Sequence, residues 1–105
     1  MPEPILSQLA KQDLAGIETY ISIELNNPIA AQRIVTLITE RIRSLADYPF
    51  LGPVLFSYVN DAIEYRRLVC GKYCVFYRLE DQTAVVIRIL HGLQDYEGRL
   101  FGSVN

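Results

Sequence analysis

The sequence predicts an α+β domain in which two amphipathic helices cover one face of a small antiparallel sheet. Two observations support this prediction. Residues 65–90 are rich in β-branched and aromatic side chains and contain two short turn-forming breaks, which is typical of an antiparallel meander. Residues 8–45 instead repeat apolar side chains at helical spacing, with a break at an Asn-Asn-Pro sequence. A chain of 105 residues has the size of one domain, which we assign to residues 1–105.

The first half of the chain predicts a short strand followed by a helical hairpin. Residues 4–7 are short and apolar, and Pro2 and Pro4 would be tolerated only at a sheet edge or at the first residue of a strand, so we expect an edge strand here. Ser7 is a suitable N-cap for a first helix over residues 8–26. Asn27 then caps a second helix over residues 28–45, whose first residue is a proline. Because the connection is short, the two helices should lie antiparallel, with their apolar face on the sheet.

The second half predicts the three strands of the meander. The expected strands are residues 63–70, 73–80 and 84–91, separated by turns at Gly71-Lys72 and around Asp81. Side chains of a strand point alternately to opposite faces. If the strands align in the simplest way, three arginines share the open face of the sheet: Arg66, Arg78 and Arg88. The other face would be almost purely apolar and would need the helices as its cover.

Two segments are less regular. Residues 47–65 contain Pro and Gly, which exclude a long regular element, but they are unusually apolar for a loop. Such a loop either packs onto the core or forms part of a partner-binding surface. Near the end of the chain, residues 94–101 are expected to form a short C-terminal helix.

Composition narrows the functional classes. The net charge is −2 and the isoelectric point is about 5.3, so the chain lacks the basic excess of a protein that holds a phosphate backbone by itself. The pair Cys70 and Cys74 is interpreted as two free thiols, although a bridge across the intervening turn is compatible with the spacing. No set of Cys and His residues suggests a metal site, and nothing suggests a cofactor. We expect no secretory signal, no membrane span and a cytoplasmic protein.

At this point the sequence resembles a known family. Four stretches in this order are similar to the RelE/ParE superfamily of bacterial toxins: DLAGIETYI (13–21), NPIAAQRIVTLI (27–38), LADYPFLGPVL (45–55) and YRRLVCGKYCVFYRLEDQTAVVIRILHGLQDY (65–96). The resemblance covers most of the chain and is closer to the ParE branch. It implies the toxin of a type II toxin–antitoxin, or plasmid stabilisation, system that a cognate ParD-like antitoxin neutralises. It also implies inhibition of DNA gyrase by binding.

The RelE branch offers an alternative function, because its members cleave mRNA in the ribosome without a metal. By resemblance, the corresponding residues are Arg66 and Arg88 as cations, His91 as base or acid, and Tyr96 as acid. The basic pair that follows the His-Gly sequence in the family is Leu93-Gln94 here, which argues against cleavage. These residues equally suit structural roles. A third alternative is an inactive relic that still binds its antitoxin.

The antitoxin is expected to contribute a segment that is disordered alone and folds on the toxin. We expect this segment to cross the helical hairpin and the groove beside the sheet. The predicted contacts are exposed apolar or cationic side chains: Ile23, Leu37, Phe50, Leu55 and Arg78.

Overall fold

The computed structural model describes residues 2–55 and 64–92. The predicted order of elements is confirmed, with six helices and strands in this part of the chain: β1 (Ile5–Leu6), α1 (Gln8–Thr19), α2 (Pro28–Arg43), β2 (Tyr65–Cys70), β3 (Tyr73–Glu80) and β4 (Thr83–His91). A π-helical turn, Tyr20–Glu24, extends α1, and a 3₁₀ turn, Ser44–Ala46, extends α2. The predicted C-terminal helix over residues 94–101 lies outside the described residues.

The four strands form one sheet in the order β1-β4-β3-β2. The meander is antiparallel, as predicted, and β1 joins it at the β4 edge. Ile5 lies opposite Val85, and the pairing of β1 with β4 is parallel. The sheet is therefore mixed, because the strand that precedes the helices runs in the same direction as the last strand.

The helices begin at the predicted capping residues. The Ser7 Oγ atom accepts a hydrogen bond from the Ala10 amide at 3.0 Å and donates one to the Ile87 carbonyl at 2.9 Å. Asn27 caps α2 in the same way, since its Oδ1 atom accepts from the Ala30 amide at 3.1 Å. Ser7 therefore fixes the start of α1 directly on β4.

The first helix ends differently from the prediction. A continuous α-helix to residue 26 would place Leu25 on the buried stripe with Ile21. The wider π-helical turn at Tyr20–Glu24 interrupts the α-helical periodicity, and Leu25 is 55% exposed whereas Ile21 stays buried. The tip of the hairpin is consequently more apolar on its surface than the sequence pattern indicates.

The prediction that the hairpin covers one face of the meander is confirmed. Apolar residues from both helices pack against alternate residues of all three long strands. We call this cluster the helix-side core, and its largest members are Ile38, Ile42, Leu45, Leu68, Val75, Tyr77, Val86 and Ile89. Burial of these side chains is the main favourable contribution to folding.

A β-bulge in β4 changes which residues share a face. Phe76 pairs with Arg88, but the next residue, Tyr77, pairs with Val86, so Ile87 is the additional residue. Strict alternation predicts that Val86 and Leu90 share a face. Instead Val86 lies in the helix-side core, whereas Leu90 packs on the opposite face of the sheet. The alternation predicted for β4 is therefore wrong beyond the bulge.

The register of the strands also separates the three arginines that were expected on one face of the sheet. Arg66 lies opposite Tyr77, a member of the helix-side core, so Arg66 is on the helix side. Arg78 follows Tyr77 in the strand and points to the other face. Arg88 lies at the bulge and bonds to Asp13 of α1. The prediction of a shared arginine face is wrong, and the face away from the helices carries a second apolar cluster that includes Leu55 and Phe76.

The register also separates the two cysteines. Cys74 lies opposite Val69, so the next residue of β2, Cys70, points to the other face. Cys70 belongs to the helix-side core and Cys74 to the second apolar cluster. The bridge that the spacing allowed is thus excluded, because the sheet lies between the two sulfur atoms.

Both thiols should react slowly with Ellman's reagent in the native protein and rapidly after unfolding in guanidinium. The reason is that both are buried, and burial raises the pKa of Cys74 to about 11, so little thiolate forms near neutral pH. Mild oxidation of the native protein should leave the intact mass unchanged. A rapid loss of two hydrogen atoms in the mass spectrum would contradict the opposite-face placement.

Candidate functional site

A bidentate ion pair joins α1 to β4 immediately after the bulge. The Arg88 Nε and Nη2 atoms each lie 2.8 Å from an oxygen of the Asp13 carboxylate. The Ile89 amide donates a further hydrogen bond to Asp13 Oδ2 at 2.9 Å. The side chains of Arg88 and Asp13 are only 18% and 13% exposed, and the hydrogen bonds that Arg88 donates to Asp13 raise the pKa of Arg88. This arginine is therefore held against the helix rather than presented to an external ligand.

Arg66 is engaged with the loop that precedes β2. Its Nη1 atom donates to the Gly52 carbonyl at 2.7 Å, and its Nη2 atom lies 2.9 Å from a carboxylate oxygen of Glu64. Its guanidinium also stacks over the Phe50 ring at 4.9 Å from the centroid. The buried Nε atom has no hydrogen-bond partner in the described part of the chain. Arg66 thus supports the loop from beneath.

The loop itself is fixed by a buried tyrosine. The Tyr77 hydroxyl donates to the Pro49 carbonyl and accepts from the Gly52 amide, both at 2.9 Å. Burial raises the pKa of this phenol, so it remains a donor. A Cβ atom at Gly52 would lie 2.0 Å from the Arg67 carbonyl oxygen, so only glycine fits there. Residues 48–54 are therefore held in one conformation against the sheet.

This fixed loop presents large apolar side chains to solvent. The Leu55 amide bonds to the Tyr65 carbonyl at 2.8 Å, which extends the loop along the edge of β2. Four large apolar side chains of the loop are exposed, with Phe50 at 61%: Tyr48, Phe50, Leu51 and Val54. We call these four the loop patch. Pro49 and Leu55 are buried, which agrees with packing of this segment onto the core, while the loop patch faces outward and its role in partner binding stays a prediction.

His91 lies at the end of β4, where its ring meets the Tyr73 ring edge to face at 5.3 Å between centroids. These two rings and one face of α1 line an open cleft of about 490 Å³, which we call the aromatic cleft. Burial raises the pKa of the Tyr73 phenol, and the nearby Tyr20 phenol raises it further. The remaining lining residues are Gln12, Asp13, Gly16, Ile17, Tyr20, Ile89 and Leu90.

Among the described residues considered for RNA cleavage, the two arginines are not brought together. Arg66 is on β2 and Arg88 on β4, with β3 between them, which separates their backbones by about 10 Å. Each guanidinium bonds to a different carboxylate. His91 lines the aromatic cleft, and Tyr96 lies outside the described residues. Among the described residues, no group of three or more His, Cys, Asp or Glu side chains is arranged to hold a metal ion.

The comparison with known proteins identifies the family. A family model described as "ParE toxin of type II toxin-antitoxin system, parDE" matches residues 5–96. The chain belongs to the ParE toxin family. A search of curated proteins finds no match for this ParE-type toxin.

Solved structures share the fold of this toxin at low sequence identity. A chain of the chromosomal ParDE toxin–antitoxin system from P. aeruginosa is 21% identical with a TM-score of 0.72, over 89% of this chain and 98% of that chain. A chain of the RelBE2 toxin–antitoxin complex from Mycobacterium tuberculosis is 22% identical with a TM-score of 0.59, over 87% of this chain and 99% of that chain. These similarities confirm the RelE/ParE-like architecture.

The predicted antitoxin contacts lie at several places on the toxin. Ile23 is exposed at the hairpin tip, Leu37 is exposed on α2, and Phe50 belongs to the loop patch. Leu55 is only 7% exposed, and Arg78 forms an ion pair with Glu80 at 2.6 Å. Their role in antitoxin binding stays a prediction. No helix in the described ranges is long and apolar enough to cross a bilayer.

Sequence reasoning missed three residues that organise this region. Asp13, Gly52 and Tyr77 each act through a partner far away in the chain. In the sequence, Asp13 is recognisable only as a charged residue beside the apolar stripe of α1. Tyr77 is recognisable only as an aromatic residue within a predicted strand. The Gly-Pro pair at residue 52 was a turn signal, but it gave no indication of a close approach to β2.

Asp13→Ala should lower the free energy of unfolding by about 3 kcal/mol, the low end for breaking a buried pair, because neither side chain is completely buried. Urea denaturation followed by circular dichroism measures this change. Glu18→Ala, on the exposed side of the same helix, is the matched control and should shift stability by less than about 0.5 kcal/mol. Equal effects of the two substitutions would rule out a structural role for the ion pair.

Tyr77→Phe should destabilise the toxin by about 1–3 kcal/mol, because it leaves the Pro49 carbonyl and the Gly52 amide without their partner. Hydrogen exchange should accelerate at the Gly52 amide. Tyr48→Phe removes a hydroxyl from the exposed loop patch and should change neither quantity. Unaltered exchange at Gly52 in Tyr77→Phe would show that the phenol does not fix the loop.

Proposed function

We propose that this ParE-type toxin inhibits DNA gyrase by binding and does not cleave RNA. The observation that supports this proposal is the internal engagement of Arg66 and Arg88, the two cations that an RNase of the RelE type would require. Both are bonded to carboxylates of the same chain, and the two lie on strands separated by β3.

Cleavage through the 2′-hydroxyl requires a base, an acid and a cation around one phosphate. Arg88 is held by Asp13 against α1, and Arg66 is held beneath the loop. His91 lines the aromatic cleft on the helix side of the sheet. With a net charge of −2, the toxin also has no overall attraction for a polyanion. These features favour a binding mechanism.

The loop patch is the surface that we assign to target binding. Protein–protein affinity concentrates in a few aromatic and other large side chains, and a rigid surface loses little conformational entropy on association. Tyr48, Phe50, Leu51 and Val54 are exposed on a loop that Tyr77 and Arg66 hold in place. A toxin that acts by binding needs such a preorganised apolar surface.

A cognate ParD-like antitoxin is the second proposed partner. The similar structures from P. aeruginosa and M. tuberculosis come from a ParDE system and a RelBE2 complex, respectively, which supports a protein partner for this chain as well. We propose that a disordered antitoxin segment folds across the hairpin and the groove beside the sheet. Ile23, Leu37, Phe50 and Arg78 would contact it, and Leu55 would support it from below. The proposed role is plasmid stabilisation, and the proposed site of action is the cytoplasm.

Purified toxin should inhibit DNA supercoiling by gyrase and leave mRNA intact on programmed ribosomes. Phe50→Ala should weaken inhibition by at least about tenfold, as expected for an aromatic anchor residue. Ile5→Ala, a similarly exposed apolar residue on β1, is the control and should inhibit like the unaltered toxin.

Cleavage of mRNA in the ribosomal A site by the unaltered toxin would overturn the proposal. Full inhibition by Phe50→Ala would instead exclude the loop patch as the gyrase-binding surface. The corresponding experiment in cells is expression of the toxin without its antitoxin. Normal growth and normal DNA supercoiling would then identify the toxin as an inactive relic.

A further inference from the structure

The aromatic cleft has the dimensions and lining of a ligand site that the gyrase proposal does not use. It lies on the helix side of the sheet, between one face of α1 and the adjoining ends of β3 and β4. Its volume of about 490 Å³ falls within the usual range for small-molecule pockets. The loop patch lies instead along the outer edge of β2, at the other side of the sheet from β4.

No contact within residues 2–55 and 64–92 explains the glycine at position 16 in the cleft wall. It lies inside α1, Gln8–Thr19, where glycine is less favourable than alanine. A Cβ atom at Gly16 would meet no other atom within 4 Å, so close packing does not require glycine. The missing side chain does have one effect, which is to leave the wall of the cleft open. A ligand that contacts the helix backbone at this point would account for the residue.

The other lining groups define the chemistry of that ligand. Tyr73 and His91 present two rings at an interplanar angle of 80°, and Tyr20 adds a third ring from the π-helical turn that extends α1. The raised pKa of Tyr73 keeps its phenol protonated, so it can donate a hydrogen bond. Gln12 adds an amide with both donors and an acceptor. Aromatic faces combined with polar groups suit a flat ring that carries hydrogen-bonding edges.

Charge indicates that the ligand is neutral. Among the described lining residues, Asp13 is the one carboxylate, and it is already bonded to Arg88 and to the Ile89 amide. The same described residues include no Lys or Arg that would attract a phosphate. An anionic ligand would therefore face a carboxylate without compensation from a free cation.

We propose that the aromatic cleft binds an uncharged heteroaromatic ring with the chemistry of a nucleobase, stacked against the rings of Tyr73 and Tyr20. Gly16 gives the ring access to the surface of α1, and Gln12 bonds to its edge. This binding is independent of gyrase inhibition, because the loop patch contributes none of the lining residues.

Adenosine is the probe, titrated into the full chain and followed by NMR of the backbone amides. We expect saturable shifts at Gly16, Tyr20, Tyr73 and His91, with weaker binding of AMP than of adenosine. Gly16→Leu places a side chain in the cleft and should weaken adenosine binding by at least about tenfold. Ala15→Leu adds the same side chain at a neighbouring exposed position outside the lining and should leave binding unchanged.

Stability measurements separate loss of the site from loss of the fold. Gly16→Ala should raise Tm by roughly 4–8 °C, because alanine is the better helix former and the added methyl group meets no other atom. Gly16→Leu should not lower Tm. Equal adenosine affinity in Gly16→Leu and the unaltered toxin would overturn the proposal, as would the absence of adenosine binding.

A third arm tests the chemistry of the ligand. Binding of N-acetyl-tryptophanamide in place of adenosine would overturn the assignment to a nucleobase. Gyrase inhibition by Gly16→Leu should equal that of the unaltered toxin. In the unaltered toxin, adenosine binding without gyrase inhibition would contradict only the proposed function. Gyrase inhibition without adenosine binding would contradict only the proposed ligand of the cleft.

Discussion

The position of α1 on the sheet depends most on the ion pair between Asp13 and Arg88, which lies beside the apolar helix-side core. Removing two charges from water is unfavourable unless each is fully hydrogen-bonded. Here the carboxylate accepts two bonds from the guanidinium and one from the Ile89 amide. Because those bonds require one geometry, they fix the position of α1 on β4. Apolar packing in the helix-side core has no preferred direction and would by itself define that position less closely.

The ion pair also links the fold to the proposed function. A guanidinium that satisfies a buried carboxylate cannot at the same time stabilise a phosphate outside the protein. Arg66 is restricted in a similar way, because it holds the loop before β2 through the Gly52 carbonyl and the Phe50 ring. Both arginines that the RNase alternative would use thus have structural roles in the chain. The apolar side chains of the loop patch are exposed on the loop that Arg66 holds, which is why we propose them as the binding surface.

The regular elements could be predicted because their signals are local. Ser7 and Asn27 identify the helix starts, and the apolar stripes of the hairpin identify the face that meets the sheet. The turns predicted at Gly71 and Asp81 are present, and both residues adopt positive φ values there. The site was less predictable. The register of β2 against β3 and the bulge at Ile87 placed Arg66, Arg78 and Arg88 in three different environments, contrary to the simplest alignment.

By itself, the sequence determined the element order, the cover of the sheet by the hairpin and the family. Those features follow from side-chain periodicity and capping, which act over a few residues. The tertiary structure alone decided which side chains meet. Asp13 and Arg88 are 75 positions apart, and the cleft combines residues of α1 with the ends of β3 and β4. The one additional residue in β4 moves every later side chain of that strand to the opposite face of the sheet. The bulge is stabilised by contacts between residues far apart in the chain, which no local sequence pattern contains.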